Sequence, residues 1–283
     1  RQMCIRDSQK LLAHEGLGSR RAIEKLISSG LVEVNGQKAH IGQRIDQSSR
    51  VVVDGRKVRF RSIKTTDVIV LNKSVGTVST WRDEKGRATI YKNLSKPPHG
   101  RWISVGRLDI NTSGLILLTN NGELANRMMH PSSGVDKEYA VRVSGRLSDE
   151  ELETLRDGVE IDGERLKFSD IQFFGGTNRN NWYHVVLMDG KNREVRNLFE
   201  YVGLSVSRLK RVRFGPLVLP SSLKVGQHLV LSEEDTEALC LLFGIDYKSG
   251  VSSKKRNNEK SSKSLLIPYP ELNFCLLYTS DAA

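Results

Sequence analysis

One aspartate lies where proteins often place reactive groups, on a tight loop between two apolar segments. Asp109 follows the β-rich run at residues 102–105 and precedes the apolar run at residues 115–119. Strands on both sides would fix the backbone, and the loop would leave the carboxylate accessible. From these residues alone, Asp109 fits either a structural cap of the turn at residues 111–114 or a catalytic carboxylate.

The residues around Asp109 resemble the catalytic core of a known enzyme family. Residues 105–131 read VGRLDINTSGLILLTNNGELANRMMHP, and residues 137–139 read KEY. With GKNREVRNLFE at 190–200 and RLKRVRFGPL at 208–217, the pattern resembles ribosomal RNA pseudouridine synthases over about residues 66–243. The resemblance is to the subfamily that contains one enzyme of the small ribosomal subunit and the B, E and F enzymes of the large one. It implies that Asp109 is catalytic, as a nucleophile or as a base at C2′.

The same resemblance implies roles for other residues near that carboxylate. Tyr139 would lie on the target base, with its hydroxyl placed for proton transfer at C5 or for a hydrogen bond. Arg196 would pair with Asp109 and offset the cost of burying that charge in a closed pocket. Arg107 would fill the space that the flipped base vacates. Without the resemblance, Tyr139 is typical of a half-buried strand and Arg196 of an exposed helix.

The implied reaction predicts no cofactor and no metal. Pseudouridine formation breaks the bond from N1 to C1′ of uridine, rotates the base and rejoins it through C5. Nothing is oxidised and no group is imported. The sequence has no GxxxxGK[ST] loop, GxGxxG fingerprint or cluster of metal ligands, as this reaction would lead us to expect.

The charge of the chain favours a polyanionic partner. The 44 Lys and Arg residues against 33 Asp and Glu residues give a net charge of +11. Charge alone does not separate RNA from DNA or from an anionic membrane. No run of 18 apolar residues and no signal-peptide pattern is present, so we expect a cytoplasmic protein with no membrane partner.

Composition divides the chain into four predicted parts. Residues 1–8 and 275–283 read like a translated sequencing adapter and are excluded from fold reasoning. The remaining cysteine, Cys240, fits a reducing compartment. Residues 9–61 resemble an S4-type RNA-binding domain, residues 66–244 form the catalytic domain, and residues 248–274 form a disordered basic tail.

The fold class predicted for the whole chain is α+β. The S4-type module would precede a core of mixed, largely antiparallel sheet with flanking helices. Two groups of basic residues are expected to bind RNA. Arg20, Arg21 and Lys25 lie at the start of a predicted helix, where charge and free backbone N–H groups favour phosphate, although a solvated helix face is the alternative. A second predicted basic face, for contacts to the RNA backbone, comprises Lys210, Arg211 and Arg213.

The leading hypothesis is an enzyme that isomerises a specific uridine of ribosomal RNA. Its expected partner is 23S rRNA or a ribosomal subunit precursor, because GKNREVR with an S4 module and a basic tail is most similar to an enzyme of the large subunit. We expect a monomer. The alternatives are a 16S rRNA enzyme, a non-catalytic ribosome-assembly factor and a DNA-binding helix-turn-helix protein. A pure RNA binder has no need to hold a carboxylate such as Asp109 against phosphates.

Overall fold

The structure is a computed structural model that describes six segments of the chain. These are residues 6–46, 48–60, 65–81, 83–177, 179–247 and 264–269. Three parts of the chain lie outside the described residues: most of the two predicted adapter segments, residues 61–64 at the junction of the two predicted domains, and residues 248–263 and 270–274 of the predicted tail.

Helix boundaries follow the capping signals of the sequence. The helices are α1 (Ser8–His14), α2 (Arg20–Ser28), α3 (Gly122–Met129), α4 (Asp149–Asp157), α5 (Glu194–Tyr201) and α6 (Glu233–Leu242). The side chains of Ser19, Ser148 and Ser232 accept hydrogen bonds from backbone amides in the first turns of α2, α4 and α6. The predicted capping box of Ser148 and Glu151 is present. Three of the predicted helix starts are thereby confirmed.

The strands are short in the N-terminal module and longer in the core. In chain order they are β1 (Arg6–Asp7), β2 (Val32–Val34), β3 (Gln37–Lys38), β4 (Arg44–Ile45), β5 (Val51–Val53), β6 (Arg56–Lys57), β7 (Val68–Lys73), β8 (Ile103–Val105), β9 (Ser113–Thr119), β10 (Lys137–Val143), β11 (Val159–Ile161), β12 (Glu164–Leu166), β13 (Asp170–Thr177), β14 (Asn180–Leu187), β15 (Val206–Phe214), β16 (Leu217–Val218) and β17 (His228–Val230).

One large sheet organises the core. Within the described residues its strand order is β13-β14-β10-β15-β9-β7-β17, with β16 paired to β15 and β8 paired to β9. The pairing of β15 with β9 is parallel, and the other pairings are antiparallel. A Cβ atom at Gly114 would overlap the backbone of Arg211, so only glycine permits this parallel approach. The predicted α+β class with a mixed, largely antiparallel sheet is confirmed.

Apolar side chains pack on both faces of this sheet, which explains the continuous apolar run in β9. Ile116 and Leu118 belong to one core, with Tyr183 of β14 among its members. Leu115 and Leu117 belong to a second core on the other side. Successive residues of a strand point to opposite faces, so a strand covered on both sides must be apolar throughout.

The N-terminal module has its own apolar core. α1 and α2 pack on a small sheet with the order β3-β2-β5-β6, and the core includes Leu12, Ile23, Val32 and Val51. The structure adds residues at the N-terminal boundary of this module. β1 pairs with β4 and the Asp7 side chain caps α1, although the sequence analysis assigns residues 6–8 to an adapter. β6 lies within the predicted bounds of the module.

The prediction of a disordered tail over residues 248–274 is wrong for residues 264–269. Leu266 forms a bridge with Leu217, and Ile267 N donates a hydrogen bond to the carbonyl oxygen of Pro216 at 2.9 Å. The Tyr269 hydroxyl donates to Asp136 Oδ1 at 2.7 Å. This short segment, which we call the C-terminal strap, contains apolar residues that the lysine- and serine-rich stretch before it lacks. That composition explains why it can pack against the core.

Candidate active site

The loop that carries Asp109 is held by its backbone. The carbonyl oxygen of Asp109 accepts a hydrogen bond from Thr112 N at 3.0 Å, and the carbonyl oxygen of Ile110 accepts one from Gly76 N at 2.9 Å. The Asp109 side chain itself is exposed. The chain alone therefore does not form the closed pocket that we expected around this carboxylate.

Lys73, at the end of β7, lies beneath this loop. It is 1% exposed, and its Nζ donates hydrogen bonds to the carbonyl oxygens of Ser74 at 3.0 Å, Asp109 at 3.0 Å and Thr112 at 2.7 Å. Burial lowers the pKa of Lys73 to about 8, and the charge of Asp109 opposes that shift. Lys73 thus fixes both ends of the turn and places a positive charge near the carboxylate.

The sequence analysis missed Lys73. Its only sequence signal is a lysine that ends an otherwise apolar, buried strand, where an ammonium group must find acceptors. The acceptors that it finds are backbone carbonyl groups, which no residue type reveals.

A cavity of about 680 Å³ opens beside Asp109. Ligand sites in proteins commonly have volumes of roughly 300–1,000 Å³. Residues lining the cavity include Ser79, Arg107, Asp109, Tyr139, Lys191, Arg193 and Glu194. The fold therefore brings together Asp109, Tyr139 and Arg107, as expected for one site. The cations in its lining provide charge that favours a phosphate-bearing ligand.

Tyr139 forms part of the cavity wall, and Arg211 supports it. Tyr139 is 7% exposed and lies opposite Arg211 in the pairing of β10 with β15. Arg211 is 2% exposed and donates a hydrogen bond from Nε to the carbonyl oxygen of Leu115 at 2.7 Å. Burial lowers the pKa of Arg211, and the interaction with Tyr139 opposes that shift. The predicted contact of Arg211 with the RNA backbone is wrong, because this guanidinium is buried beneath the site.

Arg213 is also wrongly predicted as an RNA contact. Its Nη1 and Nη2 donate to Asp136 at 2.8 Å and 2.6 Å, and its Nε donates to Glu138 at 3.0 Å. Both carboxylates come from the segment that leads into Tyr139. Arg213 therefore stabilises the core instead of presenting charge to solvent.

A β-bulge explains why the predicted basic face does not form. The register of β15 shifts so that Arg211 lies opposite Tyr139, whereas Arg213 lies opposite Glu138. Neighbouring residues of β10 point to opposite faces of the sheet, so the two arginines also do. Lys210 is partly exposed. Its contact with RNA stays a prediction.

Arg196 lies on α5, behind the Asp109 loop. Its Nη1 donates to the carbonyl oxygen of Val206 at 2.9 Å and its Nη2 to that of Asn111 at 3.2 Å. No ion pair within 4.0 Å joins Arg196 to Asp109 in the part of the chain that the structure describes, so the expected direct pairing is absent. Burial and the charge of Arg193 lower the pKa of Arg196, while the Asp109 carboxylate opposes that shift. Arg196 therefore acts on Asp109 in two ways, by electrostatic interaction and by its hydrogen bond to the carbonyl oxygen of Asn111 in the same loop.

A second, half-buried lysine holds the loop at the other rim of the cavity. Lys137 Nζ donates to the carbonyl oxygens of Val135 at 2.9 Å, Met188 at 2.9 Å and Asp189 at 2.6 Å. Burial is the main cause that lowers the pKa of Lys137 to about 8. Glu194 accepts hydrogen bonds from the amides of residues 190 and 191. These contacts fix the loop that leads into α5.

The remaining predicted RNA contacts are exposed. Arg107 lies at the cavity, next to Asp109 in the chain. Arg20, Arg21 and Lys25 are exposed on α2 of the N-terminal module. Exposure is what phosphate contacts require, and these roles stay predictions. Among the described residues, no three His, Cys, Asp or Glu side chains come together as a metal site. No helix among those residues has both the length and the apolar character needed to cross a bilayer.

Two family profiles match the chain. The profile of RNA pseudouridylate synthases matches residues 67–201, and that of the S4 domain matches residues 9–51. A solved structure, described as a pseudouridylate synthase, is similar to 82% of this chain and 99% of its own, with a TM-score of 0.57 and 25% identity. The similarity extends over most of the core that carries the cavity.

Curated relatives give the same result at higher identity. A ribosomal large subunit pseudouridine synthase B from Pseudomonas aeruginosa is 50% identical over 253 residues, covering 88% of this chain and 66% of the relative. One from Vibrio vulnificus is 42% identical over 264 residues, covering 90% of this chain and 82% of the relative. The chain spans 66% of the length of the relative from Pseudomonas aeruginosa and 50% of that of a relative of the same name from Xylella fastidiosa.

Proposed function

Because the chain belongs to the RNA pseudouridylate synthase family, we propose that it isomerises a specific uridine of 23S ribosomal RNA to pseudouridine. The observation that carries this proposal is the exposed Asp109 carboxylate, which lies beside Tyr139 in a cavity lined with cations. The names of the relatives, which refer to the large ribosomal subunit, support the choice of 23S rRNA.

The reaction begins when the target uridine leaves its stack and enters the cavity. A base inside structured RNA is out of reach of a protein carboxylate until it is flipped. Arg107, exposed beside the cavity, occupies the space that the base leaves. The incoming RNA then covers Asp109, which converts the open cavity into a closed one.

Asp109 acts on the sugar of the flipped nucleotide, as a nucleophile or as a base at C2′. The bond from N1 to C1′ breaks, the base rotates, and a bond from C5 to C1′ forms. The proton of C5 is lost and N1 gains a proton, so the product is an isomer and no co-reactant is consumed. Tyr139 contacts the base and assists proton transfer at C5.

Charge around the loop makes this chemistry possible once water is excluded. Lys73 and Arg196 both interact electrostatically with Asp109. Each also holds a carbonyl group of the same turn, so the positive charge and the carboxylate keep a fixed geometry. Preorganised charges are worth more in a dry site than in water.

Pseudouridine mapping tests the proposal. Transcripts of 23S and 16S rRNA are incubated with the wild-type protein and with Asp109→Asn, and pseudouridine is located by primer extension after carbodiimide treatment. We expect a single new stop in 23S rRNA with the wild type. We expect the variant to lose about a thousandfold or more in rate, with RNA affinity within a few fold.

Each other outcome changes the proposal in a defined way. Turnover by Asp109→Asn near the wild-type rate would remove this carboxylate from the mechanism. A stop in 16S rRNA would keep the chemistry and replace the substrate. No stop in either RNA or in ribosomal subunit precursors, with binding intact, would favour a non-catalytic assembly factor.

A further inference from the structure

One face of the main sheet carries aromatic and basic side chains that the proposed reaction does not use. Residues paired directly across neighbouring strands share a face of the sheet. Arg142 of β10 is paired with Trp182 of β14 on one side and with Arg208 of β15 on the other. The Arg142 guanidinium lies over the Trp182 ring, 6.0 Å from its centroid. These side chains therefore form a continuous row across the sheet.

A second row lies next to the first. Ala140 of β10 is paired with His184 of β14 and with Lys210 of β15. Phe174, at a bulge of β13, contacts the His184 ring with centroids 4.8 Å apart. We call the surface formed by the two rows the outer face. Its members are Arg142, Phe174, Trp182, His184, Arg208 and Lys210.

The outer face lies on the side of the sheet opposite the Asp109 cavity. Tyr139 lines the cavity, and Ala140, the next residue of the same strand, points the other way. The apolar core on the side of the outer face includes residues of β7, β9, α3 and α6. Among the described residues, that core includes none from β10, β13 or β14. The helices thus leave this half of the sheet uncovered.

The outer face is accessible to solvent and positively charged. Phe174 is 75% exposed and Arg208 is exposed, whereas Arg142, Trp182, His184 and Lys210 are partly exposed. No ion pair is recorded for Arg142, Arg208 or Lys210 within the described residues. Among the described residues of β10, β13, β14 and β15, the acidic side chains that share this face are Asp170, at the edge and hydrogen-bonded by Gln172, and Glu138, which is bound by Arg213 and His184.

We propose that the outer face binds a single-stranded segment of RNA. Bases would stack on Phe174 and Trp182, and the backbone phosphates would lie against Arg142, Arg208 and Lys210. Aromatic rings interleaved with arginine on an open sheet suit RNA because every base offers a flat face for stacking, whatever its sequence. The charge is complementary to phosphate. The identity of this partner as RNA rests on the proposed function, but the site is separate from the one that performs the reaction.

An RNA without uridine separates binding at the outer face from the isomerisation, and the N-terminal module contributes equally to binding in every variant. The probe is a fluorescein-labelled oligocytidine of about 12 nucleotides, a length within the range that single-strand binding folds cover. Binding to the full chain is followed by fluorescence anisotropy. We expect Phe174→Ala and Trp182→Ala each to weaken binding about tenfold, because each removes a stacking ring. Trp182→Phe keeps a ring and should stay within about twofold of the wild type.

Tyr201→Ala is the matched control. Tyr201 is an aromatic residue that is 55% exposed on α5, away from the outer face. We expect wild-type affinity from this variant, and circular dichroism checks that each variant is folded. Unchanged affinity in both Phe174→Ala and Trp182→Ala would overturn the proposal, as would an equal loss in Tyr201→Ala.

The other possible occupants of the outer face give different results. If the protein is a dimer that dissociates on Phe174→Ala while its RNA affinity is unchanged, the face is an interface between copies and the proposal fails. If it binds a ribosomal protein, the variants lose that contact and retain oligocytidine binding, which also overturns the proposal.

Failure of the proposed function would look different from failure of this inference. Asp109→Asn should bind oligocytidine as the wild type does. A wild-type protein that binds oligocytidine through Phe174 but modifies no uridine would overturn only the isomerase proposal. A protein that modifies 23S rRNA while its outer-face variants bind oligocytidine normally would overturn only the present inference.

Discussion

Two aspartates of the core, Asp109 and Asp136, lie in contrasting environments. Asp136 accepts hydrogen bonds from Arg213 at 2.8 Å and 2.6 Å and from the Tyr269 hydroxyl at 2.7 Å. The Asp109 side chain is exposed, and no hydrogen bond or ion pair of its carboxylate is recorded among the described residues. Both carboxylate oxygens of Asp136 accept hydrogen bonds, whereas those of Asp109 have no partner among the described residues.

The contrast shows how a reactive group can be positioned without being occupied. Lys73 and Arg196 hold the loop of Asp109 through carbonyl groups and leave the side chain untouched. Arg213 instead binds its two carboxylates directly, which stabilises the fold and uses up their hydrogen-bonding capacity. Support through the backbone gives a precise geometry and keeps the carboxylate available for a substrate.

The largest difference between the two aspartates should appear in stability. Asp136→Asn leaves the buried Arg213 with one fewer charged partner, and we expect it to lower the free energy of unfolding by about 3 kcal/mol. Asp109→Asn removes an exposed charge and should change it by less than about 0.5 kcal/mol. Urea denaturation measures both values. Equal losses would mean that the two aspartates are not separated into structural and functional roles.

Arg196 tests whether support through the backbone matters for the reaction. Arg196→Gln removes a charge near Asp109 and loosens the Asn111 carbonyl, so we expect a single-turnover rate about a hundredfold lower. Arg165→Gln, on an exposed arginine of β12 that does not line the cavity, is the control and should keep the wild-type rate. If the Arg196 variant also keeps that rate, the field and contacts of Arg196 do not contribute to the reaction.

Tyr269 tests whether the C-terminal strap belongs to the Asp136 cluster. Tyr269→Phe removes a hydrogen bond to a carboxylate and should lower the free energy of unfolding by about 1.5 kcal/mol. The loss should be much smaller when Asp136→Asn is already present, because both changes remove the same contact. In a double variant with Asp109→Asn, the losses of unfolding free energy from the two changes should be additive. Additivity in both double variants would show that Tyr269 does not act through Asp136.

The free energy of unfolding should also depend on alkaline pH. The pKa of Lys73 is about 8 in the folded chain, below the value of roughly 10.4 for an unfolded lysine. Between these values the unfolded chain binds the extra proton, so the free energy of unfolding should rise as pH increases from 8. Denaturation of Lys73→Met over this range should show a shallower rise. Parallel curves for wild type and variant would contradict the buried charge.

Most of the framework around the site could be predicted from local sequence. The apolar run of β9, the caps at Ser19, Ser148 and Ser232, and the position of Asp109 in a loop all depend on residues close together in the chain. Such signals act over a few residues, so a single sequence contains them. The resemblance to known enzymes added Tyr139, which the fold indeed brings to the Asp109 cavity.

The partners of the buried cations could not be predicted in the same way. The acceptors of Lys73 include carbonyl groups 36 and 39 residues away, and Arg213 binds Asp136 from 77 residues away. A strand in which basic and apolar residues alternate predicts an exposed basic face. Only the strands that pair with it show whether its basic side chains are buried instead. The bulge in β15, which places Arg211 and Arg213 on different faces, depends on pairing with β10 and has no local signal.

The parallel pairing of β9 with β15 also has a consequence for how the protein matures on the ribosome that makes it. Arg211 contacts Leu115 at a sequence separation of 96 residues, and Arg196 contacts Asn111 at a separation of 85. Contacts of such long range are closed late, since the loop between them must first be ordered. A nascent chain that has emerged only as far as α4 therefore has its N-terminal module complete while its Asp109 loop is still unsupported. We expect the emerging protein to be able to hold RNA before it is able to modify it.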